Sequence, residues 1–362
     1  MAKGNRIKKI TAVVFVVFCS CVSKEQSLPV FRYSGAVSVH PVENPPFIGL
    51  PVALEYDDGR VYISDFHGDT LLVEFDVENA RVVSKSIIKG TGPGDALSPL
   101  GLFMSGDTLF LLNRRTFSLG YDIPDTSGER RITFNKLCTL PGEVSNLTAI
   151  EGKYMAAGYF DGGRYAIFNS RGEKEQEFGD YPSFLAGEKD FPASAKAMYH
   201  QVRFAASRKL RRVACVSSHV LDIVDYSTSP NVVRRIQLDS YSYTFETGNF
   251  IATSRTDNTS RGAIAVSSTD DGIYILFSPS TELKAGNSSG AVNEIWYFDW
   301  NGEPVRKFPV DRTIETLKAV NDSIFYSLSW PEYELVQLNL CETDLNSKRV
   351  SVVERINIVT KQ

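Results

Sequence analysis

The sequence predicts an all-β chain: a six-bladed β-propeller of four-stranded antiparallel blades, closed by an N-terminal strand. Three observations carry this. First, a hairpin signature recurs six times, an aromatic or aliphatic residue followed by Asp or Asn, then a polar turn and a second strand-like run. It reads Phe75-Asp76, Tyr121-Asp122, Phe168-Asn169, Val224-Asp225, Phe298-Asp299 and Leu338-Asn339. The steps between the Asp/Asn positions are 46, 47, 56, 74 and 40 residues, the range of four-stranded propeller blades. Second, no segment after residue 20 sustains a 3.6-residue apolar period. Short runs rich in Val, Ile, Phe, Tyr and Thr, broken by Gly, Asp, Asn and Pro, dominate instead. Third, a tighter turn repeats ahead of each signature, in Asp57-Asp58-Gly59, Gly106-Asp107, Glu151-Gly152, Asp270-Asp271-Gly272 and Asn321-Asp322. These residues tolerate positive φ or satisfy the backbone locally. The fourth repeat departs, with Ser207-Arg208-Lys209 at that place.

In chain order, residues 1–20 read as a signal peptide. Lys3, Arg6, Lys8 and Lys9 form a basic region, and Ile10 to Phe18 a nine-residue apolar run, too short to span a bilayer as a helix. The run ends in Cys19-Ser20-Cys21, where a lipid-modified Cys21 would supply a membrane tether. Residues 21–29 read as that tether and 30–362 as the propeller domain. The first blade runs from Leu50 to Ser86, and the four-strand grammar returns near 100–135, 147–178, 201–238, 263–310 and 314–356. An open edge strand is an aggregation template, so the strand-like residues 30–39 are expected to pair with the outer edge of the last blade, near 348–356.

Without residues 1–20 the chain carries 35 basic and 43 acidic residues, a net −8. An acidic chain with interspersed signs has no reason to condense on phosphate backbones, so nucleic acid is not an expected partner. Cys138, Cys215 and Cys341 lie in apolar strand-like runs without metal-ligand spacing and read as small buried hydrophobes.

Cys21, the six hairpins and the segment Lys89-Gly90-Thr91-Gly92-Pro93-Gly94-Asp95 together resemble the TolB-like six-bladed β-propeller superfamily. More narrowly, they resemble a group of secreted propeller lipoproteins of Gram-negative bacteria. The resemblance covers about residues 30–356. It has no counterpart of the separate N-terminal domain of the family's namesake, whose partner is therefore not implied. It implies export and an outer-membrane lipid anchor, on the periplasmic or surface side, and no established activity.

In a four-stranded blade, the loops between second and third strands and the links between blades emerge on one face. That face receives His67, Asp69, Arg114, Arg115, Asp161, Arg164, His219 and Trp330, with His200 beside it, and the long links 179–200 and 239–262. Long loops on a rigid scaffold commonly carry function, so these residues are the expected binding face. The innermost strands should carry Glu55, Arg203, Glu315 and Lys318 into the central channel, a neutralised set rather than a cation cage. Two glycine-rich matches lack the strand-to-helix context their chemistry needs: Gly286-Asn287-Ser288-Ser289-Gly290 and Gly90–Gly94. The expectation is a lipid-anchored, non-catalytic module, without a cofactor, that binds an envelope protein, peptide or glycan. The alternative is a lactonase-like metal-dependent hydrolase or lyase using Glu55 and Glu315.

Overall fold

The computed structural model describes residues 27–92, 95–106, 108–113, 117–122, 135–247, 251–281 and 293–342. After β1 (Tyr33–Pro41), blade one is β2 (Pro51–Asp57), β3 (Arg60–Asp65), β4 (Thr70–Asp76) and β5 (Arg81–Ile88). Blade two is β6 (Pro99–Ser105), β7 (Thr108–Asn113), β8 (Phe117–Asp122) and β9 (Asn135–Thr139). Blade three is β10 (Val144–Ile150), β11 (Lys153–Gly158), β12 (Tyr165–Phe168) and β13 (Lys174–Phe178). After helix α1 (Ala193–Tyr199) comes blade four: β14 (Arg203–Ser207), β15 (Arg212–Ser217), β16 (Val220–Asp225) and β17 (Asn231–Gln237). A separate hairpin, β18 (Tyr243–Thr247) and β19 (Ile251–Arg255), precedes blade five. That blade is β20 (Ser260–Ser268), β21 (Ile273–Thr281), β22 (Asn293–Phe298) and β23 (Pro304–Val310). Blade six is β24 (Lys318–Ala319), β25 (Ile324–Ser329), β26 (Glu334–Glu342) and, as its outer strand, β1. The six-bladed all-β architecture read from the sequence is the observed one.

The recurrent Asp and Asn residues earn their place at the turn after each third strand. Asp76 Oδ1 accepts the Asn79 N–H, Asp225 Oδ1 the Ser227 N–H, and Asp299 Oδ1 the N–H groups of Asn301 and Glu303. Asn169 does the same for Arg171 and Glu173. The first turns use positive φ as expected, at Asp58 and Gly59, Gly106, and Glu151 and Gly152. The divergent fourth repeat solves the same problem with Arg211 at φ 54° and a Ser207 hydroxyl that accepts the Leu210 N–H. The sixth signature does not behave as expected. Leu338-Asn339 lies inside β26 rather than at a turn, because the strand that completes this blade comes from the other end of the chain.

Six apolar clusters hold the ring, one between each pair of neighbouring blades. Leu71 and Leu72 of blade one meet Leu109 and Leu111 of blade two, and Val216 and Ile223 of blade four meet Ile275 and Phe277 of blade five. The sixth cluster joins Leu328 and Leu335 to Val61, Ile63 and Phe75, closing the circle. Cys138 and Cys215 sit in these cores as expected, whereas Cys341, near the end of β26, is exposed.

Closure is completed by β1. It pairs antiparallel with β26 from Gly35 opposite Glu342 to Pro41 opposite Val336, and its first residues also pair parallel with β23 of blade five. The N-terminal strand thus closes the ring, with a corrected partner: Glu334–Glu342 rather than a segment near 348–356, which lies outside the described residues. Just ahead of β1, Phe31 packs on Trp296 and Phe298 at 5.0 and 5.5 Å between ring centroids.

Gly35 is the tight point of this clasp, since a Cβ there would stand 2.3 Å from the Phe308 ring. Gly35→Val should lower stability by about 1–3 kcal/mol through overpacking. Thermal unfolding followed by circular dichroism should show one transition moved down, because the clasp holds the ring as a unit.

Candidate functional site

Each first strand descends from the face carrying the interblade links, here called the upper face, toward the opposite, lower face. The six first strands line a central cavity of about 430 Å³ with residues that include Glu55, Asn146, Arg203, Phe204, Glu315 and Lys318. The four ionisable residues expected in the channel are all there. Toward the lower end Lys318 is hydrogen-bonded to Glu55. Burial raises the Glu55 carboxyl, and Lys318 offsets part of that. At the upper end Glu315 faces Arg261 at 3.8 Å. Burial also raises the Glu315 carboxyl, against the pull of Arg261 and Arg203. Among the described residues no three His, Cys, Asp or Glu side chains come together as a metal site.

The two long links build a cap on the upper face of blades three to five. Helix α1 and the β18–β19 hairpin pack together over Tyr199, Tyr241 and Tyr243, with Phe184, Leu185 and Phe191 around them. Tyr199 and Tyr243 stack at 3.8 Å between ring centroids. Beneath the aromatics lies Glu188, fully buried. Its carboxylate accepts hydrogen bonds from His200 Nε2 (2.8 Å), Tyr241 Oη (2.7 Å), Tyr243 Oη (3.0 Å) and the Leu185 N–H (3.1 Å). Burial alone would raise this carboxyl, but these donors hold it below the usual range.

Three residues expected on an open binding face are spent inside this structure. Arg164 is buried; it donates to Asp222 Oδ2 at 2.7 Å and Ser217 Oγ at 3.0 Å, bridging blade three to blade four. Asp222 also accepts from Tyr165 Oη and twice from Arg235. Burial would raise the Asp222 carboxyl, but Arg164, Arg235 and Tyr165 keep it below its ordinary value. His200 is held by Glu188. His219 Nε2 donates to the Ser260 carbonyl at 3.0 Å, leaving Nδ1 to accept from Tyr199 Oη at 3.1 Å. Burial first, then nearby positive charge, lowers both imidazoles to about 4. Exposed-loop reasoning misplaced all three because their partners lie far along the chain.

His67, Asp69 and Asp161 are exposed on the upper face as expected, and Trp330 is partly exposed there, with Tyr333 beside it at 5.4 Å. They stand on blades one, three and six, and among the described residues no hydrogen bond or ion pair joins one to another. Arg114 and Arg115 lie outside the described residues, as does Gly286–Gly290. In the described residues of the glycine-rich segment after blade one, the Gly92 N–H is held by the Asp95 carboxylate at 2.9 Å, and Ala96 pairs with Lys89. Sequence reasoning missed Arg255, at the end of the cap hairpin, and Arg261, one residue into β20. Arg261 faces the cavity-lining Glu315 at 3.8 Å, and the charge of Arg255 acts on His219 and Arg203.

The sequence profile of the family described as TolB-like 6-blade propeller-like matches residues 37–336. No curated protein matches the chain in sequence. Among solved structures, the chain is similar to the β-propeller domain of Myceliophteria thermophila Cps50 (Swd1), at 12% identity and a TM-score of 0.45, covering 83% of this chain and 99% of that one. The computationally designed Ika8 protein gives 11%, 0.43, 83% and 99% in the same order. Chaetomium thermophilum Raptor gives 11% and 0.48, covering 86% of this chain and 29% of that one.

Two outcomes test the buried network. Asp222→Ala leaves the buried Arg164 guanidinium without its counter-charge and should cost roughly 3–5 kcal/mol, read as a lower urea midpoint. The histidines set a pH dependence with a definite sign. Unfolded imidazoles take up protons near pH 6.5, the folded ones only near pH 4. Between those values the unfolded state binds more protons, so stability falls as pH drops. Urea midpoints across pH 7 to 4 should therefore decline, and His219→Gln should flatten part of the decline.

Proposed function

The chain belongs to the TolB-like six-bladed propeller family, and from that premise we propose that it is a lipid-anchored envelope propeller. In this reading it binds a protein, peptide or glycan partner through its upper face and catalyses no reaction. The observation that carries the reading is the exposure of two large apolar side chains on that face. Phe47, in the link before blade one, is 86% exposed, and Ile88, at the end of β5, is 64% exposed. Both lie on the side of blade one that bears His67, and they are, with Val30, the most exposed of the large apolar side chains among the described residues. Large apolar side chains exposed at this end of blade one favour a protein or peptide occupant.

The anchor and the face fit one arrangement. β1 is an outer strand and runs from the lower face to the upper. The described residues ahead of β1, from Ser27 on, therefore enter the ring at its lower side, an arrangement in which a lipid at Cys21 would leave the upper face turned away from the bilayer. The buried network supports a binding role as well. His200 and His219 have their ring nitrogens committed to structural hydrogen bonds or enclosed in the cap, out of reach of a substrate. The alternative hydrolase would use Glu55 and Glu315, yet each faces a cation of its own, Lys318 and Arg261.

Cross-linking in intact cells, followed by envelope fractionation, tests both halves. The parent should remain with the membranes and carry a cross-linked partner. Phe47→Asp with Ile88→Asp should lose that partner at an unchanged thermal midpoint, and Cys21→Ser should move the protein to the soluble fraction. A partner retained by the double variant sinks the face; a membrane-bound Cys21→Ser protein sinks the anchor.

A further inference from the structure

The outer edge of blade one differs from those of blades three to six. β5 is the last strand of its sheet, so alternate backbone N–H and C=O groups point away from β4. Its upper end takes one short segment: the Ala96 N–H donates to the Ile88 carbonyl at 3.2 Å, and the Ala96 carbonyl accepts the Gly90 N–H at 3.1 Å. Below that bridge no described strand pairs with the outer side of residues 81–86. Blades three to six cover their edges or neutralise the cations on them. β1 completes blade six, and its first residues pair with β23. On β13 Lys174 pairs with Glu177, and on β17 Arg234 and Arg235 pair with Glu303 and Asp222. On β5, Arg81 and Lys85 are exposed four residues apart, and among the described residues neither donates a side-chain hydrogen bond or forms an ion pair. Val82 stands exposed beside them. The backbone of this strand is also strained. Ile87 lies at φ 64°, the one β-branched residue among the described non-glycine residues with positive φ, a conformation such a side chain adopts only at a cost. Strain of this kind gathers at binding and switch sites, and the next residue along is the exposed Ile88.

We propose that β5 is a docking edge for an extended, acidic peptide segment of a partner protein, which adds to blade one as a fifth strand. Main-chain hydrogen bonds to the outer side of β5 supply the affinity in this mode of recognition, and side chains along the edge supply the choice. Edge cations ordinarily keep a strand from pairing with copies of itself. The same charge, left without acids of its own, selects a strand of opposite sign. Arg81 and Lys85 therefore call for carboxylates, while Val82 and Ile88 offer contact to apolar side chains between them. The ring already uses strand addition once, since β1 completes blade six from a distant part of the chain. This inference rests on the upper-face reading, because Ile88 is where the edge reaches that face, and it names the chemistry of the partner.

The test uses the full chain in detergent and three short fluorescent peptides: alternating Glu and Val, alternating Lys and Val, and the Glu–Val peptide with N-methylated backbone. Fluorescence anisotropy should show saturable binding of the Glu–Val peptide, weakened by raised salt, and none of the Lys–Val peptide. The N-methylated peptide keeps the charge but cannot donate strand hydrogen bonds, and it should not bind. Arg81→Glu with Lys85→Glu should weaken the Glu–Val peptide about tenfold or more and admit the Lys–Val peptide. The thermal midpoint of the free protein should not move, since both side chains stand in solvent. Silence toward the Glu–Val peptide, equal binding of its N-methylated form, or a double variant that keeps the parent's preference overturns the proposal. If cross-linking through Phe47 and Ile88 persists while the Glu–Val peptide fails to bind, the upper-face reading stands and only the docking edge falls.

Discussion

A four-stranded blade has no interior. Its two faces are both apolar, and each can leave water only by lying against another blade. Six such contacts are available when the array closes and five when it does not, so closure is the constraint on which every other feature depends. The sixth cluster, with Leu328 and Leu335 against Val61 and Phe75, joins the last blade to the first, and β1 completes that last blade by pairing with β26. Channel, cap and upper face are all defined by that circle.

Closure also explains why charge can be buried here. Asp222, Arg164 and Arg235 lie where blades three and four meet under the α1 link, and the geometry that desolvates them also fixes their partners within hydrogen-bond reach. Glu188 with His200, and His219 with Ser260, repeat the pattern under the cap and beside blade five. Buried polar groups of this kind cost free energy unless every partner is in place. They therefore tie the cap to a single position over the blades rather than simply adding stability.

What could be read from the sequence was whatever the chain settles within a few residues. Asp76, Asn169, Asp225 and Asp299 act on N–H groups two to four positions ahead, so their turns were legible, and with them the blades. The channel residues Glu55, Arg203, Glu315 and Lys318 were legible because a first strand follows each link. Contacts made at long range were not. Arg164 meets Asp222 across 58 residues and His219 meets Ser260 across 41, and nothing local separates a buried loop arginine from a solvated one. Helix α1 has seven residues, too few to show a period, and the β18–β19 hairpin sat in what read as a long loop, so Arg255 went unseen. Asn339 carried the same signature as its five counterparts but belongs to a blade finished by the opposite end of the chain.

The clasp has a mechanical side. The chain before Tyr33 leads straight into β1, so a pull on the N-terminus runs along the axis of that strand. From Gly35 to Pro41 the pairs with β26 would then be loaded in shear, together, rather than peeled apart one after another. The same segment is braced by β23 and by Phe31 against Trp296. The strand that closes the ring is also the one through which a tether would transmit force, and it meets that force in its strongest direction.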